Sequence, residues 1–355
     1  MMKNFIVTPL PIDFDFESKN ILIALNTTSR ALAELKGGIK KIPNSQILLD
    51  TLSLQEAKDS SEIENIITTD DEMYQALVDD EVLDSDAKEV KNYALALKTG
   101  YGFIQNKRII TINNLIKIQE IVSPNHPIRK VPGTNLKNAK TNEIIYTPPQ
   151  NYDEIVKLLS NLEKYINDES MHSIDSLIKM PIIHYQFETI HPFYDGNGRT
   201  GRILNILYLV QQQLLDIPVL YLSHYITKNK VQYYNLLQKV RTDNAWEEWV
   251  LWMLKGVEVT AIETMNMVNK IKDLMDNYKK EIKEKFPFYS HDLINILFKF
   301  PYTKIDFLEK ELNVHRNTAS TYLNKLAEAK LLTKTKIGKT NYFINTPLMN
   351  ILKTR

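Results

Sequence analysis

Residues 191–202 read HPFYDGNGRTGR and bring an imidazole, a carboxylate, an amide, two arginines and flexible glycines within twelve positions. An apolar, helix-compatible run at 181–190 precedes this stretch, and Pro192 ends that helix. The apolar run at 202–210 predicts a second, mostly buried helix. A glycine-rich loop that leads into a helix N-terminus presents free backbone N–H groups and the positive end of the helix dipole. The stretch therefore predicts an anion-binding loop between two helices, with phosphate as the expected anion.

Length and composition set the frame for this loop. A chain of 355 residues predicts two or three domains with a sizeable core. The near balance of 44 Lys and Arg against 43 Asp and Glu argues against a protein that coats nucleic acid over its whole surface. The absence of cysteine excludes disulfides, thiolate metal sites and cysteine nucleophiles. No secretory signal is expected at 1–18 and no apolar run reaches the roughly 18–20 residues of a membrane span, so a cytoplasmic protein without membrane contact is expected.

Helical periodicity dominates the first 280 residues, which predicts a mainly α fold. Gly37 and Gly38 are expected to stop the first helix. The segment 135–147 is β-branched and aromatic at its end and predicts a small hairpin with its turn near 140–142. The predicted helices cover residues 20–36, 47–57, 90–103, 111–122, 151–167, 173–190, 202–210, 228–240 and 246–277.

The C-terminal region has a different organisation. The charged stretch 279–287 breaks the apolar period and is interpreted as a linker. Three short helices and two strands that meet across Lys339 then predict a winged helix-turn-helix, whose recognition helix begins near residue 314. The predicted division is an N-terminal helical region at 1–105, a helical core at 106–278 and a winged-helix domain at 279–355.

Taken singly, the polar residues of the central stretch have ordinary structural explanations, and their combination carries the interpretation. A zinc site is disfavoured because His184 lies in an apolar run, where a core histidine is expected. Asp195 suits Mg²⁺, a hard cation that few protein oxygens hold together with substrate phosphates.

The stretch HPFYDGNGRTGR resembles the signature of the Fic family, HxFx(D/E)GNGRxxR, at every specified position. The sequence SSEIEN at 60–65 resembles the motif (S/T)xxxE(G/N) of family members that carry an inhibitory helix before the core. The hairpin at 135–147 lies where the family keeps its target-binding flap, and a C-terminal winged helix also occurs in similar proteins. The resemblance implies a Fic helical core with a small hairpin flap, an N-terminal helical region and a winged-helix domain.

The resemblance implies a protein adenylyltransferase, which moves AMP from ATP to a Ser, Thr or Tyr hydroxyl of a protein and releases pyrophosphate. A hydroxyl nucleophile needs a general base, and the resemblance assigns His191 to that role. Asp195 would hold Mg²⁺, Asn197 would donate to the α-phosphate, and the arginines would bind the outer phosphates. The residues that the resemblance implies at the ATP site are Glu64, His191, Gly196, Asn197, Gly198, Arg199, Thr200, Gly201, Arg202, Tyr233 and Tyr234.

Regulation and partners follow from the same resemblance. Glu64 would pair with Arg202 and allow ATP only an unreactive pose, and Ser60, one helical turn earlier, would help orient the arginines. Self-modification and a homodimer are expected. A protein substrate would dock on the 135–147 flap by adding a strand. The pair Tyr233 and Tyr234 would lie near the adenine, with a flap residue, Tyr146, on its other face.

Two other functions remain open from the sequence. The first is a nucleotide-sensing regulator that binds DNA through the winged helix. Its basic face would consist of His315, Arg316, Asn317, Lys325, Lys334, Lys336 and Lys339. The second keeps the fold and changes the chemistry, to phosphoryl transfer, to transfer of another phosphate-linked group or to hydrolytic removal of AMP. The glycine at position 198 favours AMP transfer over phosphoryl transfer.

Overall fold

The computed structural model describes residues 6–42, 44–78, 85–137, 141–337 and 340–353. These residues form fifteen α-helices and two small sheets, which confirms the prediction of a mainly α fold. None of the described helices combines the length and the hydropathy that a membrane span requires. The helices are α1 (Lys19–Ile39), α2 (Ser45–Ile63), α3 (Asp70–Val78), α4 (Ser85–Lys107), α5 (Ile112–Val122), α6 (Tyr152–Asn167), α7 (Ser176–Ile190), α8 (Asn197–Gln211), α9 (Leu222–Lys228), α10 (Lys230–Asp243), α11 (Trp246–Lys285), α12 (His291–Lys299), α13 (Ile305–Leu312), α14 (Arg316–Glu328) and α15 (Thr346–Lys353). The strands are β1 (Leu136–Lys137), β2 (Ile144–Tyr146), β3 (Tyr302–Thr303), β4 (Thr333–Ile337) and β5 (Thr340–Ile344).

Helices α7 and α8 form the centre of the molecule and are joined by the loop 191–196. Nearly every residue of both helices is buried, polar ones such as Glu188 and Arg202 included, because other helices pack against both. Helices α6 and α11 cover α7, and α4 and α5 cover α8. The loop between the two central helices is therefore held by a rigid support on both sides.

Helix α2 is buried along most of its length and packs against α4, α9 and α12. The side chain of Asn44 caps its first turn by accepting a hydrogen bond from the N–H of Gln46. The helix continues beyond the predicted 47–57 to Ile63, and Glu64 is its C-cap residue. The segment that resembles the inhibitory motif is thus the last turn of a buried helix.

Helix α1 packs along α11. The sequence predicts that Gly37 and Gly38 stop this helix, but it continues through both glycines to Ile39. A Cβ on Gly38 would lie 2.1 Å from the Sδ atom of Met265 on α11. The glycine is needed here for close packing of two helices, and this contact holds the helical conformation despite the low propensity of glycine.

The interpretation of 279–287 as a linker was wrong. Helix α11 runs without interruption to Lys285, and its last turns bury Tyr278 and Ile282 against the C-terminal region. The boundary predicted at 278/279 falls inside α11, and the one at 105/106 falls inside α4. The division into three domains stays a prediction, but any such units are joined by continuous helices.

The C-terminal region contains α12, β3, α13, α14, β4 and β5 in that order, which is the order of elements in a winged helix-turn-helix. Its sheet has the strand order β3-β5-β4, with antiparallel pairs throughout. The sequence did not indicate β3 or α15, which are two and eight residues long. Gly338 and Lys339, where the wing was expected to turn, lie outside the described residues.

The hairpin predicted at 135–147 contains the antiparallel pair β1 and β2, with Leu136 opposite Tyr146. Lys140, at the expected turn, lies outside the described residues, and Asn142 has a positive φ of 58°. Ile144 and Ile145 are exposed, whereas Tyr146 is buried against the core. The hairpin is therefore anchored at one residue and open to solvent at its neighbours.

Candidate active site

The loop between α7 and α8 starts and ends in the left-handed region. His191 caps α7 with φ 48° and ψ 57°, and Gly196 caps α8 with φ 77° and ψ 9°. No side chain in the described part of the chain accepts a hydrogen bond from the N–H groups of residues 197–199, so these groups stay available to a ligand. Those N–H groups together with the dipole of a buried helix provide a place for an anion.

Asn197 closes this loop on itself. Its Oδ1 accepts from the N–H of Phe193 at 2.8 Å, and its Nδ2 donates to the carbonyl of Phe193 at 2.9 Å. The amide was expected to donate to a phosphate, and in this structure it fixes the shape of the loop instead. The segment before the hairpin runs antiparallel beside the loop, through the bridge between Ile128 and Phe193.

Arg202 lies in the first turns of α8, where it is buried and hydrogen-bonded to residues at the end of α2. Its Nη2 donates to Glu64 Oε1 at 2.8 Å, and its Nε donates to Ser60 Oγ at 2.7 Å. A further bond joins Nη2 to the carbonyl of Ser60 at 2.9 Å. Burial alone would lower the pKa of Arg202, but the Glu64 carboxylate outweighs it and the pKa is raised.

The Glu64 carboxylate also touches the anion-binding loop itself. A Cβ on Gly198 would lie 2.3 Å from Glu64 Oε1 and 2.9 Å from Arg202 Nη1. The carboxylate thus rests directly against the first turn of α8, at the position that the N–H groups and the helix dipole favour for negative charge. Glu64 is an anion already seated in this site.

Arg199 is held by two carboxylates and is almost completely buried. Its Nη1 lies 2.5 Å from Glu89 Oε2, and its Nη2 lies 3.3 Å from Asp195 Oδ2. Glu89 belongs to α4 and was missed by the sequence reasoning, because it lies 110 positions from its partner in an ordinary helical pattern. Both arginines of the stretch 191–202 are therefore paired with acidic side chains from the N-terminal region.

Asp195 is oriented by Ser123, whose Oγ donates to Oδ2 at 2.5 Å. His126 Nδ1 lies 2.9 Å from Ser123 Oγ. Since the Ser123 hydroxyl gives its proton to Asp195, its oxygen accepts from His126, whose Nδ1 must therefore carry a proton. Burial raises the pKa of the Asp195 carboxyl, but the hydrogen bonds from Ser123 and the Gly196 N–H outweigh it, and the pKa is lowered. About half of the side chain, 54%, is exposed, which leaves an ionised oxygen facing solvent.

His191 is placed at the mouth of the loop with a neutral imidazole. Burial, followed by the charge of Arg129, lowers its pKa to about 4. Its Nδ1 is buried without a hydrogen-bond partner among the described residues. At pH 7 the ring can therefore accept a proton.

Thr200 and Gly201 lie on the inner side of α8. The Thr200 side chain is fully buried, and a Cβ on Gly201 would lie 2.4 Å from Oε1 of Glu188 on α7. Burial raises the pKa of the Glu188 carboxyl to about 7. These contacts belong to the packing of α7 on α8, and Glu188 was not singled out in the sequence.

The three tyrosines expected near a nucleotide differ in exposure. Tyr233 is fully buried, and its hydroxyl is 2.8 Å from Nε2 of His184, whose pKa is lowered to about 3 by burial. Tyr234 is 44% exposed. Tyr146 is buried, donates to the carbonyl of Thr189 at 2.8 Å and has the Arg241 guanidinium 4.0 Å above its ring. Among these three tyrosines, only Tyr234 offers an open ring face.

Sequence comparison finds matches to three family profiles that follow one another along the chain. Residues 22–102 match the Fic/DOC family N-terminal region, and residues 103–209 match the Fic/DOC family itself. Residues 274–348 match the C-terminal domain of the SoFic-like protein adenylyltransferases. The central match contains the whole of the stretch 191–202.

Similar proteins are named protein adenylyltransferases. A probable protein adenylyltransferase of Aquifex aeolicus is 38% identical over 82 residues, 23% of this chain and 25% of that protein. Protein adenylyltransferase fic-1 of Caenorhabditis elegans is 36% identical over 63 residues, 18% of this chain and 12% of that protein. The chain thus matches no more than a quarter of the length of these relatives.

Solved structures share the fold at low sequence identity. A Fic family protein from Desulfovibrio desulfuricans superposes with a TM-score of 0.58 at 18% identity, over 95% of this chain and 97% of that one. A structure of Fic-1 from C. elegans gives a TM-score of 0.53 at 19% identity, over 70% of this chain and 73% of that one.

Proposed function

Because the chain belongs to the Fic/DOC family, we propose that it is a protein adenylyltransferase, which transfers AMP from ATP to a Ser, Thr or Tyr hydroxyl of a protein and releases pyrophosphate. The observation that carries the proposal is the Glu64 carboxylate seated against Gly198 and bound to Arg202. A site that already holds one anion at a helix N-terminus, beside a second arginine, suits a polyphosphate.

His191 acts as the general base. The hydroxyl oxygen of the target attacks the α-phosphorus of ATP, the bond from that phosphorus to the bridging oxygen breaks, and pyrophosphate leaves with its electron pair. The hydroxyl proton passes to the imidazole, which is neutral because burial and Arg129 lower its pKa. Its backbone is in the left-handed conformation where α7 ends and the loop begins.

The first turn of α8 and its two arginines bind the phosphates. The N–H of Gly198 has no hydrogen bond to a described side chain, and glycine leaves room for close approach of phosphate oxygens. Arg199 and Arg202 supply planar pairs of donors. The side chain of Asn197, which is engaged with Phe193, contributes by holding the loop rigid.

The residues present fit a magnesium ion. Among the described residues no group of three metal-binding side chains occurs, and Asp195 is a single ionised, half-exposed carboxylate. This donor set suits Mg²⁺, which binds one or two carboxylates together with water and substrate phosphates. When bound, the ion would neutralise charge on the phosphates, and Ser123 would keep the Asp195 carboxylate in place.

The contacts of Glu64 and Glu89 support an autoinhibited resting state. Glu64 forms an ion pair with Arg202, and Glu89 forms one with Arg199. These are the two guanidinium groups that would bind the outer phosphates. A triphosphate that reaches the loop must displace Glu64 from Arg202, or bind without that arginine. Self-modification is then expected when Glu64 is absent, and a homodimer stays a prediction.

A protein substrate would dock on the flap of β1 and β2 by adding a strand, as the exposed Ile144 and Ile145 allow. DNA binding by the C-terminal region is less well supported. Arg316, the first residue of the predicted recognition helix, is paired with Asp306 and lies 3.9 Å from Glu309, so its charge is already compensated.

Intact mass spectrometry of the Glu64→Gly variant incubated with Mg-ATP tests the proposal. One adenylyl group per modified site should appear, and Glu64→Gly combined with His191→Ala should gain none. The matched control is Glu62→Gly, which changes an exposed glutamate on the same helix end and should leave the protein as unmodified as the unsubstituted chain. No gain of mass in Glu64→Gly, alone or with candidate targets, contradicts transfer. Loss of AMP from a target modified beforehand would instead assign the hydrolytic activity.

A further inference from the structure

Arg129 is a buried arginine in the segment that leads into the flap, and it lies outside the motif at 191–202. Only 1% of the residue is exposed. The three hydrogen bonds of its side chain all go to backbone carbonyls. Nε donates to His191 at 2.7 Å, and Nη2 donates to Pro149 at 2.9 Å and to Ile190 at 3.3 Å.

These acceptors lie on two separate parts of the molecule. Ile190 and His191 are the end of α7, where the chain changes from helical to left-handed backbone. Pro149 lies just after β2, at the end of the flap. The backbone N–H of Arg129 adds a bond to the carbonyl of Pro192 at 2.9 Å. Arg129 therefore connects the turn at His191 to Pro149, at the end of the flap.

The charge of Arg129 has no ion-pair partner among the described carboxylates, and its Nη1 is buried without a hydrogen-bond partner there. A buried guanidinium without a counter-charge is unfavourable unless polar groups surround it, so its presence calls for a reason. The other charged groups that face His191 are Glu64 from the end of α2 and Arg241 from α10. The backbone of Glu188, on α7 itself, adds a hydrogen bond to the ring.

We propose that Arg129 is a positioning residue for AMP transfer: its guanidinium fixes the left-handed turn that presents the His191 imidazole, locks that turn to the flap and sets a positive charge beside the ring. The kinetic side of this inference depends on the proposed function, whereas its structural side does not. A non-glycine residue in left-handed backbone is strained, and the hydrogen bond from Arg129 to the His191 carbonyl offsets this strain.

The first test measures the titration of His191 without any nucleotide. In protein with ¹⁵N-labelled histidine, the His191 signal is the one that His191→Ala removes. Arg129→Met removes the charge and should raise the pKa of His191 by about one unit, because a neighbouring like charge disfavours the imidazolium. Arg129→Lys keeps the charge and should leave that pKa within a few tenths of a unit. Equal titration of the Met variant and the unsubstituted protein would overturn the electrostatic role.

The second test uses the Glu64→Gly background, in which transfer can be measured. Both Arg129 variants should lower kcat by about tenfold or more, with a smaller change in KM for ATP, because misplacement of the base affects chemistry more than binding. The acidic limb of the pH profile should move upward only in Arg129→Met. Lys130→Met removes an exposed charge at the next position and should change neither quantity.

The titration and the kinetic test together distinguish a failure of the positioning role from a failure of the proposed function. Unchanged kcat in a folded Arg129→Lys variant, with its thermal midpoint near that of Lys130→Met, contradicts the positioning role. Absence of transfer in Glu64→Gly itself contradicts the proposed function and leaves the titration of His191 as the test of Arg129. If Arg129→Met does not fold, Arg129→Gln, which is neutral and keeps a donor to the carbonyls, takes its place in both measurements.

Discussion

At the scale of single residues, buried carboxylates on α2 and α7 distinguish this molecule from a simple helical bundle. Glu56 is 1% exposed and accepts hydrogen bonds from the Tyr93 hydroxyl at 3.0 Å, the Ser223 N–H at 3.0 Å and the Ser223 hydroxyl. It joins α2 to α4 and α9. Burial, opposed by these hydrogen bonds, raises the pKa of its carboxyl from 4.5 to about 8.

Glu56 should therefore make the thermal stability depend on pH. Below pH 4.5 the carboxyl is protonated in both the folded and the unfolded chain, and its contribution to stability is fully present. As the pH rises toward 8 the unfolded chain ionises first, so this contribution is progressively lost. Glu56→Gln is neutral in both states and should lose less stability between pH 5.5 and 8, by about 2 °C or more in Tm. Calorimetry at the two pH values measures this difference.

The control for this prediction is Glu62→Gln, which changes an exposed glutamate on the same helix. Its Tm should follow that of the unsubstituted chain at both pH values. If Glu56→Gln and the unsubstituted chain decline in parallel, the Glu56 carboxyl is ionised in the folded protein and the hydrogen bonds around it dominate over burial.

At the scale of helices and loops, the N-terminus of α8 is the element on which the proposed binding of triphosphate depends. Gly198→Ala places a methyl group at the position now taken by Glu64 Oε1, within 3 Å of Arg202 Nη1. In the Glu64→Gly background the extra Cβ should crowd a bound phosphate and weaken Mg-ATP binding by about tenfold or more. Titration calorimetry measures the affinity. Gly102→Ala, on α4, has open space at its Cβ and should bind Mg-ATP as the background does.

This element was also the most predictable part of the chain. The apolar runs beside the stretch 191–202 gave α7 and α8, and the left-handed Gly196 lies where a turn was needed. The pairing of Glu64 and Ser60 with Arg202 was expected from the motif at 60–65. The roles of these residues in binding and catalysis stay predictions until the variants are measured.

Contacts between distant segments could not be predicted in the same way. The Glu89 partner of Arg199 and the bond of Arg129 to the His191 carbonyl join residues far apart in sequence, and helical periodicity carries no information on such pairs. Local propensity also gave wrong helix ends where tertiary packing determines the conformation. Gly38 stays helical against Met265, and the charged residues after 278 extend α11 because Tyr278 and Ile282 are buried on its other face.

At the scale of the whole molecule, the C-terminal region is in contact with the helix that carries Glu64. Helix α12 packs on α2, and β3 packs on α3. The ring of Tyr302 on β3 stacks on Tyr74 at 6.1 Å, and its hydroxyl donates to Asp71 at 3.0 Å. Tyr74 in turn accepts from Gln55 Nε2 of α2 at 2.5 Å. The C-terminal region therefore supports the buried position of α2 through α12 and through α3.

Tyr302→Leu should weaken this support and partly relieve inhibition. An aromatic pair and a hydrogen bond each contribute about 1 kcal/mol, so the loss of both from the docked state of α2 raises the fraction of molecules with Glu64 displaced by up to about thirtyfold. Self-modification in the otherwise unsubstituted chain should rise accordingly, and remain below that of Glu64→Gly. Incorporation of label from α-labelled ATP measures this increase. Tyr289→Leu alters an aromatic residue of the same region that packs against His291 and should leave incorporation unchanged. An equal, low incorporation in both tyrosine variants would mean that α2 is held by α4, α9 and Arg202 without help from the C-terminal region.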